Sequence, residues 1–534
     1  MKRLWSLALA LLMALTLVLS GCGGNSGEQT GGQQASGSPS GGESSSGGAG
    51  DADRMLYVVT SSDVQNLDPN NDTTQNRLQV KAQIYETLVR FDENGELTPW
   101  LAESWEFEDD YTTLIKLREG ITFSNGEPLT ANDVMFTFRR TIENKLIGFM
   151  EVGSIDLEKS EVVDEHTIRL VTTCSGSLQM RMLENPDTGI ICEKAYTEAD
   201  GDFWNGAAVG TGPYTYVSYS AGDNIVLKAN ENYWNKDAMP QIKDVTFRFI
   251  IDSATRAVEA ETGGADIVYD IEATDLERLS ADPNVNMITT LGTNCTYICF
   301  NCADSVLSNP KVREALWYAM DAKAAAKIAY GNFGAPADNF LVTGIKGAIE
   351  NPEEYFIERD IEKAKALLAE AGYADGLTLK IYVSSNNKGR QDMAEVLQAQ
   401  CAEVGVTLDI QVLEGGALDE ILLGGTSQLT LYGQSATTFE GGRPLQHFLP
   451  DNNESMMFQY YEDGFVDKVN RALTIVDDEE RFKLYSECCE TLMENYVALP
   501  IWFKGLSAAT QNDIGGFALT RSYEQHYLQY VYFK

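Results

Sequence analysis

The folded body of this chain is expected to be a mixed α/β structure, on three observations. Stretches such as Thr112-Thr113-Leu114-Ile115-Lys116-Leu117-Arg118 alternate in polarity, as a half-buried strand does. Other stretches repeat apolar residues three and four apart, the period of a helix with one buried face. The body, residues 51–534, is long enough for two or three domains with substantial cores.

A leader precedes that body. Lys2 and Arg3 give a basic start, residues 4–19 are almost wholly apolar, and Leu19-Ser20-Gly21-Cys22 closes the run with small residues before a cysteine. This is the pattern of a secretory signal, residues 1–21, ending in a lipobox; the Cys22 thiol takes the lipid and becomes the new N-terminus after cleavage. A transmembrane helix is the weaker reading, because a bilayer needs about 20 apolar residues and nothing in that reading calls for the cysteine. Residues 22–53 are mostly Gly, Ser and Gln and bury too little apolar surface to offset the entropy of ordering. They read as a leash with an end-to-end distance of roughly 30 Å.

Within the body, Thr130-Ala131-Asn132-Asp133 has the spacing of a capping box, and the helix it opens carries Val134 and Phe138 on one face. Asn309-Pro310 begins another helix, with proline at the first position, where no amide hydrogen is needed. Val312, Leu316, Ala319 and Met320 form its buried stripe. Asp360 caps a third, in which Ile361, Ala364, Leu367, Leu368 and Ala371 recur at helical spacing before Gly372 ends it. A fourth runs from about Asp478 to Asn495, with acids in its first turn and Phe482, Tyr485, Cys489 and Leu492 facing inward.

With 40 basic and 79 acidic residues, the formal charge is −39. Nucleic acid and anionic lipid should be repelled, so the expected membrane contact is the lipid anchor alone. No apolar run after the leader is long enough to span a bilayer. The cysteines are too sparse for a disulfide framework. Cys295, Cys299 and Cys302 match the C-x3-C-x2-C spacing of iron–sulfur radical enzymes, but Asn294–Phe300 reads as a strand, and thiols acting as small buried hydrophobes fit better. A Cys174–Cys192 bridge stays open. His166, His447 and His526 lie at no metal-ligand spacing. There is no G-x-S-x-G, no H-E-x-x-H and no phosphate-cradling glycine loop. Neither a catalytic residue, nor a metal, nor a cofactor is expected.

From Glu86 onward an ordered set of motifs appears. Glu86-Thr87-Leu88, Asp92, Gly95, Pro99 and Leu101-Ala102-Glu103-Ser104-Trp105 come first. Phe123-Ser124-Asn125-Gly126-Glu127-Pro128-Leu129-Thr130-Ala131-Asn132-Asp133-Val134 follows, then Gly210-Thr211-Gly212-Pro213-Tyr214 and Asn230-Glu231-Asn232-Tyr233-Trp234. Val312-Arg313-Glu314-Ala315-Leu316 and Ala364-Lys365-Ala366-Leu367-Leu368-Ala369-Glu370-Ala371-Gly372-Tyr373 complete the set, and upstream Leu67-Asp68-Pro69 also fits. Together they resemble the family 5 extracellular solute-binding proteins, the peptide and nickel receptors of ABC importers, over about residues 67–373. Trp105, Tyr233 and Trp234 read as packing residues, so the motifs mark the fold more than the ligand.

The resemblance implies a two-lobe, periplasmic-binding-protein-like fold of type II, hinged between its lobes, with an additional α/β domain. Lobe I would combine 54–92, 205–304 and 500–534, the added domain 93–204, and lobe II 305–499. The implied function is capture of a solute, foremost an oligopeptide, by a monomer outside the cytoplasmic membrane, and delivery to an ABC permease with its separate ATPase. A surface peptide-signal sensor of the same fold is the alternative, and an exported hydrolase ranks below both.

In peptide receptors of this family a lobe II strand pairs with the ligand backbone, and an acid in a Trp-x-x-Asp-Tyr-x-x-Pro-like stretch holds its amine. The matching stretch here, Leu431 to Glu440, lacks that tryptophan and aspartate. Glu440 is the candidate counter-ion. Gly433, Gln434 and Ser435 are the candidate strand contacts, since a glycine permits close backbone approach. Thr73, Thr74 and Gln75 are expected to face the cleft from lobe I, Trp502 to pack over the ligand, and Arg443 to meet a ligand carboxylate. Nickel is disfavoured because only His447 lies near this region.

Overall fold

The computed structural model describes residues 54–534 apart from 73, 74, 93, 356 and 522–526. The leader, Cys22, the leash, Thr73 and Thr74 therefore lie outside the described residues. No helix among them is long and apolar enough to cross a membrane.

One eleven-stranded sheet organises the body. Ten of its strands are Leu56–Thr60 (β1), Tyr214–Ser220 (β2), Asn224–Ala229 (β3), Asp244–Phe249 (β4), Ile267–Tyr269 (β5), Val285–Phe300 (β6), Leu377–Ser384 (β7), Val406–Leu413 (β8), Leu429–Ser435 (β9) and Ala498–Gln511 (β10). Their spatial order is β8-β7-β9-β6-β10-β5-β1-β4-β3-β2, and Gly334–Pro336 adds to β10. The two long strands, β6 and β10, pair antiparallel and run through both halves of the sheet. The first half of β6 joins lobe I, whereas Asn294–Phe300 pairs with β9 in lobe II. β6 thus changes partners along its length, with a register shift against β10 between Leu291 and Cys295.

β10 is buried along nearly its whole length, as its run of apolar and small residues requires of a central strand. Pro500 sits within it, although proline cannot donate to a ladder. A second register shift at Thr296/Tyr297, opposite Trp502 and Pro500, supplies the irregularity that tolerates it. Cys295 and Cys299 lie buried in β6, as the strand reading expects. All eight cysteines after Cys22 are free thiols, so the bridge left open between Cys174 and Cys192 is not formed. Burial pushes the Cys174 thiol up to about 11.

A separate four-stranded antiparallel sheet lies in the added region: Ala102–Asp109, Thr112–Leu117, Thr167–Val171 and Glu161–Asp164, in that spatial order. The helix Ala131–Glu143 starts on the capping box of Thr130 and Asp133 and buries Val134 and Phe138 into the same core. Two acids, Glu86 buried and Asp68 partly so, tie this region to the main sheet's side of the chain. Asp68 accepts two hydrogen bonds from Arg140, at 2.5 and 2.9 Å. Glu86, fully shielded, accepts from Trp100 Nε1 at 2.8 Å, Tyr233 Oη at 2.8 Å, Trp234 Nε1 at 2.7 Å and Arg90 at 3.2 Å. Burial, with Glu86 beside it, drives the Tyr233 hydroxyl far above its ordinary range.

The helix Asp478–Glu494 forms where its periodicity places it, but Arg481 is also wholly buried, which an apolar stripe does not anticipate. Its partner is Glu440. Glu440 Oε2 accepts from Arg481 Nη2 at 3.1 Å and Nε at 3.3 Å, and pairs with Arg181 Nε at 3.4 Å. Tyr485 donates to Glu440 Oε1 at 3.2 Å. Arg181 comes from the added region and also donates to the Thr438 and Gly95 carbonyls. Arg443 pairs in the same way with Glu151 of the added region. The expectations for these two residues are corrected accordingly: the Glu440 carboxylate, with no exposure, holds an interdomain clamp rather than a ligand amine, and Arg443 meets a protein carboxylate rather than a ligand one. A buried charge persists only when neighbours of opposite charge and hydrogen-bond donors surround it, and Glu440 has both.

Breaking that clamp should register as lost stability. Arg481→Leu is expected to lower unfolding stability by about 3–5 kcal/mol, the cost of stripping a partner from a buried pair. Glu440→Gln should likewise lower the urea midpoint while leaving solute affinity nearly unchanged. A ligand counter-ion would do the reverse, weakening binding at constant stability.

Candidate ligand-binding cleft

Strand direction locates the cleft. In lobe I, β1 runs parallel to β4 and β5. β5 runs antiparallel to β10, with Ile267 opposite Thr510 and Tyr269 opposite Ala508, so its carboxyl end points along β10 toward lobe II. In lobe II, β7, β8 and β9 run parallel to one another, and β9 pairs antiparallel to β6 from Leu429–Phe300 to Ser435–Asn294. Its carboxyl end therefore points back toward lobe I. The carboxyl ends of both parallel sets face each other across the hinge strands, and ligands of open α/β sheets bind outside such ends.

On the lobe II side, β7 accompanies β9 only at Leu429 and Thr430. Gly433, Gln434 and Ser435 pair with β6 on one side and have no strand on the other among the described residues. Asn294 Nδ2 donates to Ser435 Oγ at 3.1 Å, which orients the serine at the strand end. Gln434 is buried at 8 % exposure, yet neither of its amide atoms has a hydrogen-bond partner among the described residues. The Oγ1 atoms of Thr437 and Thr438, in the loop that follows, share that condition. An unpaired buried polar atom costs about 1–3 kcal/mol, so these are groups that an outside donor or acceptor could satisfy.

Gly433 has a steric role as well. A Cβ there would lie 2.6 Å from Arg390 Nη2 and 3.0 Å from Asn294 Oδ1. Arg390 stands on the first turn of the helix Lys388–Ala402, just past the carboxyl end of β7, with its guanidinium 5.9 Å from the Tyr432 ring. Neither Arg390 nor Asn294 was anticipated from sequence. The available signal was a basic residue in the polar turn Ser384–Arg390 after a strand, which gains meaning only once β7 and β9 are known to end side by side.

Trp502, expected over the ligand, is instead nearly buried in β10. Its Nε1 donates to the Phe333 carbonyl at 2.8 Å, and its ring stacks on Tyr330 at 6.2 Å. It also borders a cavity of ≈ 780 Å³ with Trp317, Met320 and Met493, all from lobe II. Burial raises the Tyr330 pKa, Arg390 opposes that shift, and Glu272 and Asp392 add to it. Glu272 of lobe I and Arg390 of lobe II thus act on one hydroxyl.

On the lobe I side, Ser61 follows β1 and donates to Asp270 Oδ2 at 2.6 Å. Asp270 follows β5 with φ of 58°, a left-handed conformation that aspartate adopts more readily than most residues. Gln75 opens the helix Gln75–Lys81. Lys81 at its end is buried against Asp72 at 2.6 Å; burial lowers the lysine pKa and Asp72 opposes that shift. This pair holds Asp72 against the far end of the helix.

Comparison with known proteins agrees with this geometry. Residues 96–456 match the sequence pattern of Bacterial extracellular solute-binding proteins, family 5 Middle. The chain is 30% identical over 446 residues to Heme-binding protein A of Haemophilus influenzae, spanning 76% of this chain and 79% of that protein. It is 28% identical over 481 residues to the glutathione-binding protein GsiB of Escherichia coli, spanning 87% of this chain and 92% of that one. A dipeptide-binding protein from Pseudoalteromonas sp. SM9913, solved with Met-Leu, shares the fold with a TM-score of 0.77 at 21% identity, over 90% of this chain and 100% of that chain. The chain belongs to the bacterial extracellular solute-binding proteins of family 5, the substrate-binding components of ABC importers, and is not an enzyme.

Proposed function

We propose that this chain is a lipid-anchored receptor that captures an oligopeptide between its lobes and hands it to an ABC permease driven by a separate ATPase. The observation that carries the ligand class is the one-sided strand segment Gly433–Ser435 beside the unpaired amide of Gln434. An extended peptide can add there as a further strand, with main-chain hydrogen bonds giving affinity and pockets reading its side chains. The dipeptide bound by the Pseudoalteromonas relative and the glutathione named for GsiB support the same class.

Lobe I (54–92, 205–304, 500–534) and lobe II (305–499) would close on the ligand, with 93–204 as the added domain. A ligand touching both lobes favours the closed form through contacts that the open form lacks. The register shifts in β6 and its partner strand lie where such a hinge would bend. Anchoring rests on the lipobox at Cys22, and the Gly/Ser leash would let the body reorient above the membrane.

Denaturing the purified receptor and weighing the released small molecules tests the ligand class: peptides are expected, and a heme or a metal chelate would refute the reading. Gln434→Ala should weaken peptide binding by about 2–10-fold, the worth of one neutral hydrogen bond, as read by calorimetric titration. Cys22→Ser should move the protein from the membrane fraction to the soluble one; retention in the membrane would sink the anchor.

A further inference from the structure

The cavity of ≈ 780 Å³ that Trp502 borders lies away from the end of β9. The strand Gly334–Pro336 pairs with β10 at Trp502–Lys504, along the edge opposite β6. β9 lies on the far side of β6, so two strand spacings, roughly 10 Å, separate β9 from β10. The cavity is walled by β10, by the Gly334–Pro336 strand and by residues of the helices Pro310–Ala319 and Ala322–Tyr330. It is therefore not part of the cleft between the carboxyl ends.

Its size suits a small organic molecule, since sites that enclose such ligands run to about 300–1,000 Å³. Met320, Met493 and Pro500 give it an apolar wall, and Trp317 and Trp502 an aromatic one. Trp502 Nε1 is satisfied by the Phe333 carbonyl at 2.8 Å. Two other polar atoms of the lining are not matched. Trp317 is 3 % exposed, yet its indole Nε1 has no hydrogen-bond partner among the described residues. Asp338 Oδ1 is shielded from solvent and is likewise without a partner among them. An indole nitrogen only donates and an ionised carboxylate only accepts, so one missing group is an acceptor and the other a donor. Leaving either buried and unmet costs about 1–3 kcal/mol, more for the charged one. Three acids and three bases line the cavity, so its net charge does not select the ligand and Asp338 does so locally.

We propose that this cavity is a second solute site, separate from the interlobe cleft, for a small aromatic amine bearing a hydroxyl group. The ammonium donates to Asp338, the strong charge-assisted kind of hydrogen bond. The hydroxyl oxygen accepts from Trp317 Nε1. The ring packs against the indoles and against the sulfurs of Met320 and Met493, which favour aromatic neighbours. The inference stands apart from the peptide reading, because none of these residues belongs to the Gly433–Ser435 segment.

The test titrates the purified receptor calorimetrically with tyramine, with phenethylamine, which lacks the hydroxyl, and with 4-ethylphenol, which lacks the amine. The wild type should bind tyramine about 2–10-fold more tightly than phenethylamine, the scale of a neutral hydrogen bond. It should prefer tyramine to 4-ethylphenol by at least about tenfold, the scale of a charge-assisted one. Trp317→Phe should bring the first ratio to about one and leave the second, and Asp338→Ala should do the converse. Cooperative thermal unfolding of each variant shows that a lost ratio is not a lost fold. Should Trp317→Phe not fold, the second ratio in Asp338→Ala decides alone. No binding of tyramine at about 1 mM, or a ratio that survives its own substitution, overturns the inference and leaves the peptide reading untouched. Release of a heme or a metal chelate from the cleft would overturn the peptide reading and leave this one standing.

Discussion

The architecture depends on two strands that refuse to stop at a domain border. β6 and β10 run antiparallel through both halves of one sheet, so each lobe is built outward from the same pair. That constraint sets the direction of every strand added on either side. Lobe I's parallel strands end facing lobe II, and lobe II's parallel strands end facing lobe I. A cleft between carboxyl ends follows from the topology before any side chain is considered. The same two strands carry the register shifts, where lost ladder bonds make bending easiest.

Charge in this chain is spent in two ways. Most of the large acidic excess lies on the surface, where water solvates it. A few acids are sunk between domains, where they are held by several donors at once. Glu86, Asp68 and Glu440 each gather partners from distant parts of the chain. Such buried groups specify geometry more than they add stability, because desolvation opposes much of the attraction. They fasten the added region to both lobes. Around the end of β9 several unpaired groups gather: the Gln434 amide, the Thr437 and Thr438 hydroxyls and the Arg390 Nε have no hydrogen-bond partner among the described residues.

Glu440 and Arg443 show how a motif position can mislead. Glu440 ends the stretch that resembles a peptide receptor's amine site, Arg443 lies just beyond it, and both carry a charge of the expected kind. In the folded chain the loop turns them inward, to Arg481 and Arg181 in one case and to Glu151 in the other. On the neighbouring strand, Gly433 has no side chain and the Gln434 amide has no hydrogen-bond partner among the described residues.

Local patterns were enough for much of the fold. The capping box at Thr130, the proline-started helix at Asn309 and the helix opened by Asp360 depend on contacts within a few residues, and each forms as its spacing dictates. The order of motifs was enough for the family. Which charges are buried together, and which are left unpaired, belonged to the tertiary structure alone. Arg481 meets Glu440 across 41 positions of chain, and Arg390 meets Gly433 only because β7 and β9 lie side by side. Electrostatic partnership depends on distance in space and on the water excluded around it, and neither quantity is written in the order of residues.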